Sequence, residues 1–225
     1  MLEAIAWISI SAAIVCAFWM SLDAFRHPQP MAIMNVVWPV SALYLNVLAL
    51  WAYYRVGRPR AMHASHNGMS HQINDSRLSG WQVAVGTSHC GAGCMLADVA
   101  CEFGIAAAGI TLFGSPLWAE YVIDLAAAWV LGIVFQYFAI QPMRHLAVGE
   151  ALWAAIKADT LSIASFQTGM YAWMAITFFL LFPSPHLTAF DARYWLMMQI
   201  AMICGYATSF PVNRWLILTG LKEAM

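Results

Sequence analysis

The sequence predicts an all-α protein: a polytopic membrane helical bundle of six transmembrane helices with both termini cytoplasmic. Three observations carry this. Hydrophobic residues make up 62% of the 225 and charged residues only 9%, a balance that a soluble domain of this size does not reach. Six apolar stretches each approach the roughly 20 residues that a helix needs to cross the hydrocarbon core. Lys and Arg fall unevenly about those stretches, as they do when short cytoplasmic loops collect them.

The first stretch, about 4–22, follows Glu3 rather than a basic segment and lacks a small-residue cleavage site, so it reads as a retained helix and not a signal peptide. The second, about 33–54, contains Pro39, which removes a backbone donor and predicts a bend. Residues 55–80 form a cytoplasmic loop rich in Arg, His, Asn and Ser, too short for a separate domain, so 1–225 reads as one integral membrane domain. The third stretch, about 89–113, opens on Thr87 or Ser88 as its cap. The fourth, about 118–140, follows the turn Gly114-Ser115-Pro116. Residues 143–158 set Arg144, His145, Glu150 and Lys157 on an apolar helical pattern and predict an interfacial helix leading into the fifth stretch, about 160–182. Pro183-Ser184-Pro185 turns the chain into the sixth, about 194–218, where Pro211 predicts a second bend. Six alternating crossings leave Arg55, Arg58, Arg60, Arg77, Arg144, Lys157, Arg214 and Lys222 on one side against Arg26 and Arg193, which puts both termini inside.

The residues that carry chemistry are soft-metal ligands. Ser88-His89-Cys90-Gly91-Ala92-Gly93-Cys94-Met95 brings an imidazole and two thiols to the start of the third helix, and the preceding loop adds Met62-His63-Ala64-Ser65-His66-Asn67-Gly68-Met69-Ser70-His71. Imidazole, thiolate and thioether are the set that copper and zinc favour. Thiols facing the cytoplasm are kept reduced, which argues against a structural disulfide. A helix start also favours negative charge, here beside Cys90. At roughly 100° per residue, Cys90, Cys94, Asp98 and Cys101 share one face, with Glu102 at its edge.

An acid at the centre of a span costs about 2.5–3.5 kcal/mol and so faces the bundle interior. Asp98 and Glu102, with Asp124 of the fourth helix, are therefore candidates for a charge or proton pathway, while Glu120 reads as interfacial. Met170 with Met174, and Met198 with Met202, lie one turn apart, as thioether ladders for monovalent copper require.

Each feature has an ordinary competing reading. Gly and Cys pack helices in membranes, Met fills cores, a three-His loop is often simply solvated, and the acids would pair with Lys157 or Arg144 as structural ties. Gln136, Gln167 and Gln199 read as ties between helices. The net charge of −1 gives no nucleic-acid partner, and no hydrolase signature, phosphate loop or dinucleotide fingerprint occurs, so an enzyme here would have to be a redox one.

Trp38-Pro39-Val40-Ser41-Ala42-Leu43-Tyr44, Ser88-His89-Cys90-Gly91-Ala92-Gly93-Cys94, Phe166-Gln167-Thr168-Gly169-Met170-Tyr171 and Pro211-Val212-Asn213 together give the chain a likeness beyond its first helix. It resembles a family of bacterial integral membrane proteins described only as a domain of unknown function. The resemblance implies a helical fold in the bacterial plasma membrane and no particular activity.

The residues themselves lead to binding, and transport, of a soft metal ion, monovalent copper first and zinc second. In that scheme His63, His66 and His71 recruit the ion, His89, Cys90 and Cys94 receive it, the four methionines relay it, and a metallochaperone or partner membrane protein supplies it. One alternative is a thiol redox protein working against a quinone, which needs aromatic and Gln residues facing one cavity. The other is a non-catalytic scaffold in which Gly and Cys serve only packing.

Overall fold

The computed structural model describes residues 1–58, 78–144 and 147–222. Its helices are α1 (Leu2–Arg26), α2 (Met34–Leu45), α3 (Val47–Ala52), α4 (Gly80–Ala108), α5 (Pro116–Arg144), α6 (Val148–Ile176) and α7 (Ala192–Leu218), and no strand occurs among the described residues. Five of these, α1, α4, α5, α6 and α7, are long and apolar enough to cross a membrane. Large apolar side chains such as Ile8, Val122 and Leu180 point outward along them, an arrangement compatible with a multi-pass protein in a lipid bilayer.

The stretch expected to make the second crossing does something else. α2 is twelve residues long, about 18 Å, which is short of the hydrocarbon thickness. It stops at Asn46, whose φ of 53° lies in the left-handed region that Asn tolerates better than most residues. Asn46 Nδ2 donates to Ser9 Oγ at 3.2 Å, placing the break beside the second turn of α1. Beyond the break, Tyr53 Oη donates to Asp23 at 2.8 Å, Trp19 Nε1 donates to Tyr54 Oη at 2.8 Å, and Arg58 pairs with Asp23 at 3.0 Å.

Ser9 and Asp23 are about 21 Å apart along α1. The chain therefore runs down α1 through α2, turns at Asn46, and climbs back through α3 and the π-helical turn Tyr53–Gly57 to the end it left. Trp38 and Tyr53 meet edge to face at 5.7 Å, and Gly57 abuts the Trp38 ring so closely that a Cβ there would collide with it. Residues 34–57 thus form a helical hairpin, and among the described residues the long apolar helices number five where six were expected. Pro39 sits buried inside α2 and is not the break.

α4 also begins earlier than expected. Ser79 and Gln82 form a capping box, with Trp81 N donating to Ser79 Oγ at 3.3 Å and Ser79 N donating to Gln82 Oε1 at 3.0 Å, so the helix starts at Gly80 and not at Thr87 or Ser88. Residues 148–158, expected as part of an interfacial helix, are the first turns of α6, which continues into a π-helical turn at Thr177–Leu181. α7 passes through Pro211 without ending.

Small residues set the closest helix approaches. A Cβ on Gly93 would stand 3.3 Å from Gly132 Cα, joining α4 to α5, and one on Gly205 would stand 2.7 Å from the Phe166 carbonyl oxygen, joining α7 to α6. α5 and α6 are also clasped by two tyrosines. Tyr121 and Tyr171 stack at 4.0 Å, and each hydroxyl donates to the other's backbone carbonyl, at 2.6 and 2.7 Å. In the resulting bundle one end carries Arg26, Arg58 and Lys222 and is called the basic end below; residue 1 lies at the far end, where Trp7 shares a cavity with Ala189 and Ala192.

Candidate functional site

Residues four apart on a helix drift by only about 40°, so Cys90, Cys94, Asp98 and Glu102 make one stripe down α4. All four are buried, whereas Cys101, on the same face, is partly exposed. Because α4 starts at Gly80, Cys90 stands about 15 Å inside the helix. The thiols are therefore deep in the bundle and not at its mouth, and the helix-start dipole that would favour charge beside Cys90 belongs to residues ten positions earlier.

Cys90 and Cys94 are both free thiols, buried one turn apart on the same face of α4. Over them lie Phe166 of α6 and Tyr44 of the hairpin, whose hydroxyl stands against Gly91. Met170, Met174, Met198 and Met202 are all buried and belong to the same continuous core as the two thiols. His89 faces elsewhere: its ring meets Phe135 of α5 edge to face at 5.8 Å, and neither ring nitrogen has a protein partner. Among the described residues no three or more His, Cys, Asp or Glu side chains converge as a metal cluster. His63, His66 and His71 lie outside the described residues.

Toward the far end the stripe becomes acidic. Both carboxylate oxygens of Asp98, and Oδ1 of Asp124, are buried with no hydrogen-bond partner in the protein. Glu102 of α4 and Asp124 of α5 are likewise buried, so acids from two helices are enclosed in this part of the bundle. Glu120, one turn from Asp124, lines a cavity of about 200 Å³ with Ile105, Thr111, Thr188 and Phe190. A smaller void of about 20 Å³, roughly one water in size, lies between Glu120, Met174, Thr177 and Tyr194. Glu120, which the sequence suggested was merely interfacial, thus stands between the acid group and the far-end cavity.

Toward the basic end the column ends in a buried ion pair that sequence reasoning missed. Lys222 Nζ and Asp159 Oδ1 are 2.9 Å apart with both side chains fully buried. Lys222 also donates to Ser162 Oγ at 3.4 Å, Ser162 donates to Asn213 Oδ1 at 3.0 Å, and Asn213 Nδ2 donates to Ser209 Oγ at 2.8 Å. His89 feels the charges of both Asp159 and Lys222, so it belongs with this group and not with the thiols. Lys157, a candidate partner for the α4 acids, lies over the Trp153 ring instead. The usable signal was Asp159 with Ser162, and Ser209 with Asn213: polar pairs one turn apart on apolar helices.

Of the three glutamines expected as ties, Gln199 is one. It accepts from Ser9 Oγ at 2.6 Å and donates to the Leu43 carbonyl at 2.8 Å. Gln136 and Gln167 have no protein partner for either end of their carboxamides. The molecule therefore holds a line of ionisable and polar groups that reaches from the half-buried Glu120 through buried Asp98 and the thiols to Lys222.

A family model described as a domain of unknown function, DUF4396, matches residues 80–222, taking in α4 to α7 and the Lys222 turn but not α1 or the hairpin. No curated protein and no solved structure matches the chain.

Proposed function

The chain belongs to the DUF4396 family, and since that family carries no known function we propose from the chain's own residues that it binds monovalent copper and moves it across the bacterial plasma membrane. One observation supports this reading above others: two free thiols one helical turn apart, buried at mid-bundle, in one core with four methionines. Monovalent copper accepts thiolate and thioether ligands, whereas a closed zinc site takes four ligands. With no third or fourth His, Cys, Asp or Glu gathered about the pair among the described residues, copper is favoured over zinc.

In this scheme Cys90 and Cys94 receive the ion and Met170, Met174, Met198 and Met202 pass it on. Asp98, Glu102 and Asp124 carry compensating charge or protons toward Glu120. His63, His66 and His71, which lie in the sequence between the hairpin and α4, take copper from a metallochaperone. Among the described residues the basic end holds Arg26, Arg55, Arg58, Arg144, Lys157, Arg214 and Lys222, with Arg193 opposite, so that end faces the cytoplasm. Five crossings then put residue 1 outside and the carboxyl terminus inside.

The test is the metal content of detergent-purified protein, measured by elemental mass spectrometry beside a Cys90→Ser/Cys94→Ser double variant. The expected result is near-stoichiometric copper in the parent protein and none in the variant. No copper after anaerobic reconstitution would end the metal reading and leave thiol redox chemistry or a scaffold role.

A further inference from the structure

A cavity of about 400 Å³ opens between α1, the hairpin tip, α4 and α7, in the half of the bundle nearer residue 1. From its lining we infer a binding site for a neutral, lipid-tailed carbonyl compound of the quinone class. Aromatic rings from three helices line it, with Trp7 from α1, Phe103 from α4 and Trp195 from α7, and Phe103 stacks on Trp195 at 5.2 Å. Such walls suit a flat ring and an unsaturated tail. The volume falls in the range of ordinary ligand cavities.

The polar groups decide the head. Gln199, only 6% exposed, lines the cavity seven residues into α7, about 10 Å below that helix's start. Its orientation is fixed by a chain of bonds: Asn46 Nδ2 donates to Ser9 Oγ, Ser9 Oγ donates to Gln199 Oε1, and Gln199 Nε2 donates to the Leu43 carbonyl. A carboxamide nitrogen has two donors, and one is used here, so a fixed N–H remains for an acceptor in the cavity.

No Lys or Arg lines the space, and Asp191, its one acid, is turned to Arg193 at 3.3 Å. A phosphate head would stand there uncompensated at a depth where charge is costly, while a ketone oxygen needs only one donor. The hairpin is what makes the site, because its broken tip supplies the Leu43 carbonyl that holds Gln199 in place. The inference does not use the thiol pair, so the copper reading can fail without it.

The experiment titrates full-length protein in nanodiscs with a decyl-tailed benzoquinone and follows tryptophan fluorescence. Saturable quenching is expected. Gln199→Leu should weaken it about tenfold, the size of one net hydrogen bond, and Val99→Trp, which fills the cavity from α4, should abolish it. A decyl-tailed benzene without carbonyls should bind at least about tenfold more weakly for the same reason. If the benzene binds as well as the quinone, the cavity is an acyl-chain site and the inference falls; it falls equally if Val99→Trp leaves quenching unchanged. Should Gln199→Leu fail to fold, the carbonyl-free probe and Val99→Trp still decide.

Discussion

A lysine and an aspartate enclosed together in an apolar bundle have no water to fall back on, so each is tolerable only while the other is present. Breaking a buried pair by removing one partner typically costs about 3–5 kcal/mol, whereas replacing both with apolar residues is often close to neutral. Lys222→Met or Asp159→Leu alone should therefore lower the thermal midpoint in detergent sharply. The double variant Asp159→Leu/Lys222→Met should recover most of the loss. Equal, additive losses would show that the two residues act separately. The acid stripe of Cys90, Cys94, Asp98 and Glu102 was legible in the sequence, since a spacing of four names one helix face without tertiary knowledge. The ion pair was not: its partners are 63 positions apart, and nothing local announces that the turn after α7 folds Lys222 back onto α6. His89 was misread for a related reason. Adjacency to Cys90 in sequence turns its side chain about 100° away, toward Phe135.

Hydropathy found each long helix, because a run of apolar residues is the whole physical requirement for burial in lipid. It could not tell one crossing from two half-crossings packed against each other, and 33–54 satisfies both. The basic residues do not separate the two arrangements either. Replacing the second crossing with a hairpin moves only Arg26 and residue 1 to new sides, so both topologies obey the same charge rule. The start of α4 was missed because Ser79 and Gln82 make a quieter signal than the apolar run ten residues later. A labelling experiment separates the topologies. In a background with the native cysteines replaced, Leu2→Cys and Gln29→Cys should react with a membrane-impermeant maleimide from opposite sides, with Gln29→Cys labelled from the same side as the carboxyl terminus. Labelling of Leu2→Cys from the carboxyl-terminal side would restore the six-crossing arrangement.

At the scale of the molecule, Cys90, Cys94, Asp98 and Glu102 are enclosed by packed helices, the arrangement that the proposed copper carrier would need between its two sides. Any cargo at the thiols must wait for helices to move before it can leave. The tyrosine clasp bears on which helices those are. Sliding α5 along α6 would break two hydrogen bonds and a ring stack together, so these helices behave as one stiff panel. α1 with its hairpin is held to the rest at fewer polar points, chiefly Ser9 and Leu43 against Gln199. If the chain moves copper as proposed, the mobile partner is then the α1–hairpin unit, with Gln199 as its pivot. A short thiol cross-linker between Tyr121→Cys and Tyr171→Cys should leave copper release from proteoliposomes unchanged, while one between Leu43→Cys and Gln199→Cys should stop it. The reverse pattern would put the moving joint between α5 and α6. The molecule would work as a door hung on one side chain, in which the hinge and the wall of the lipid-facing cavity are the same residue.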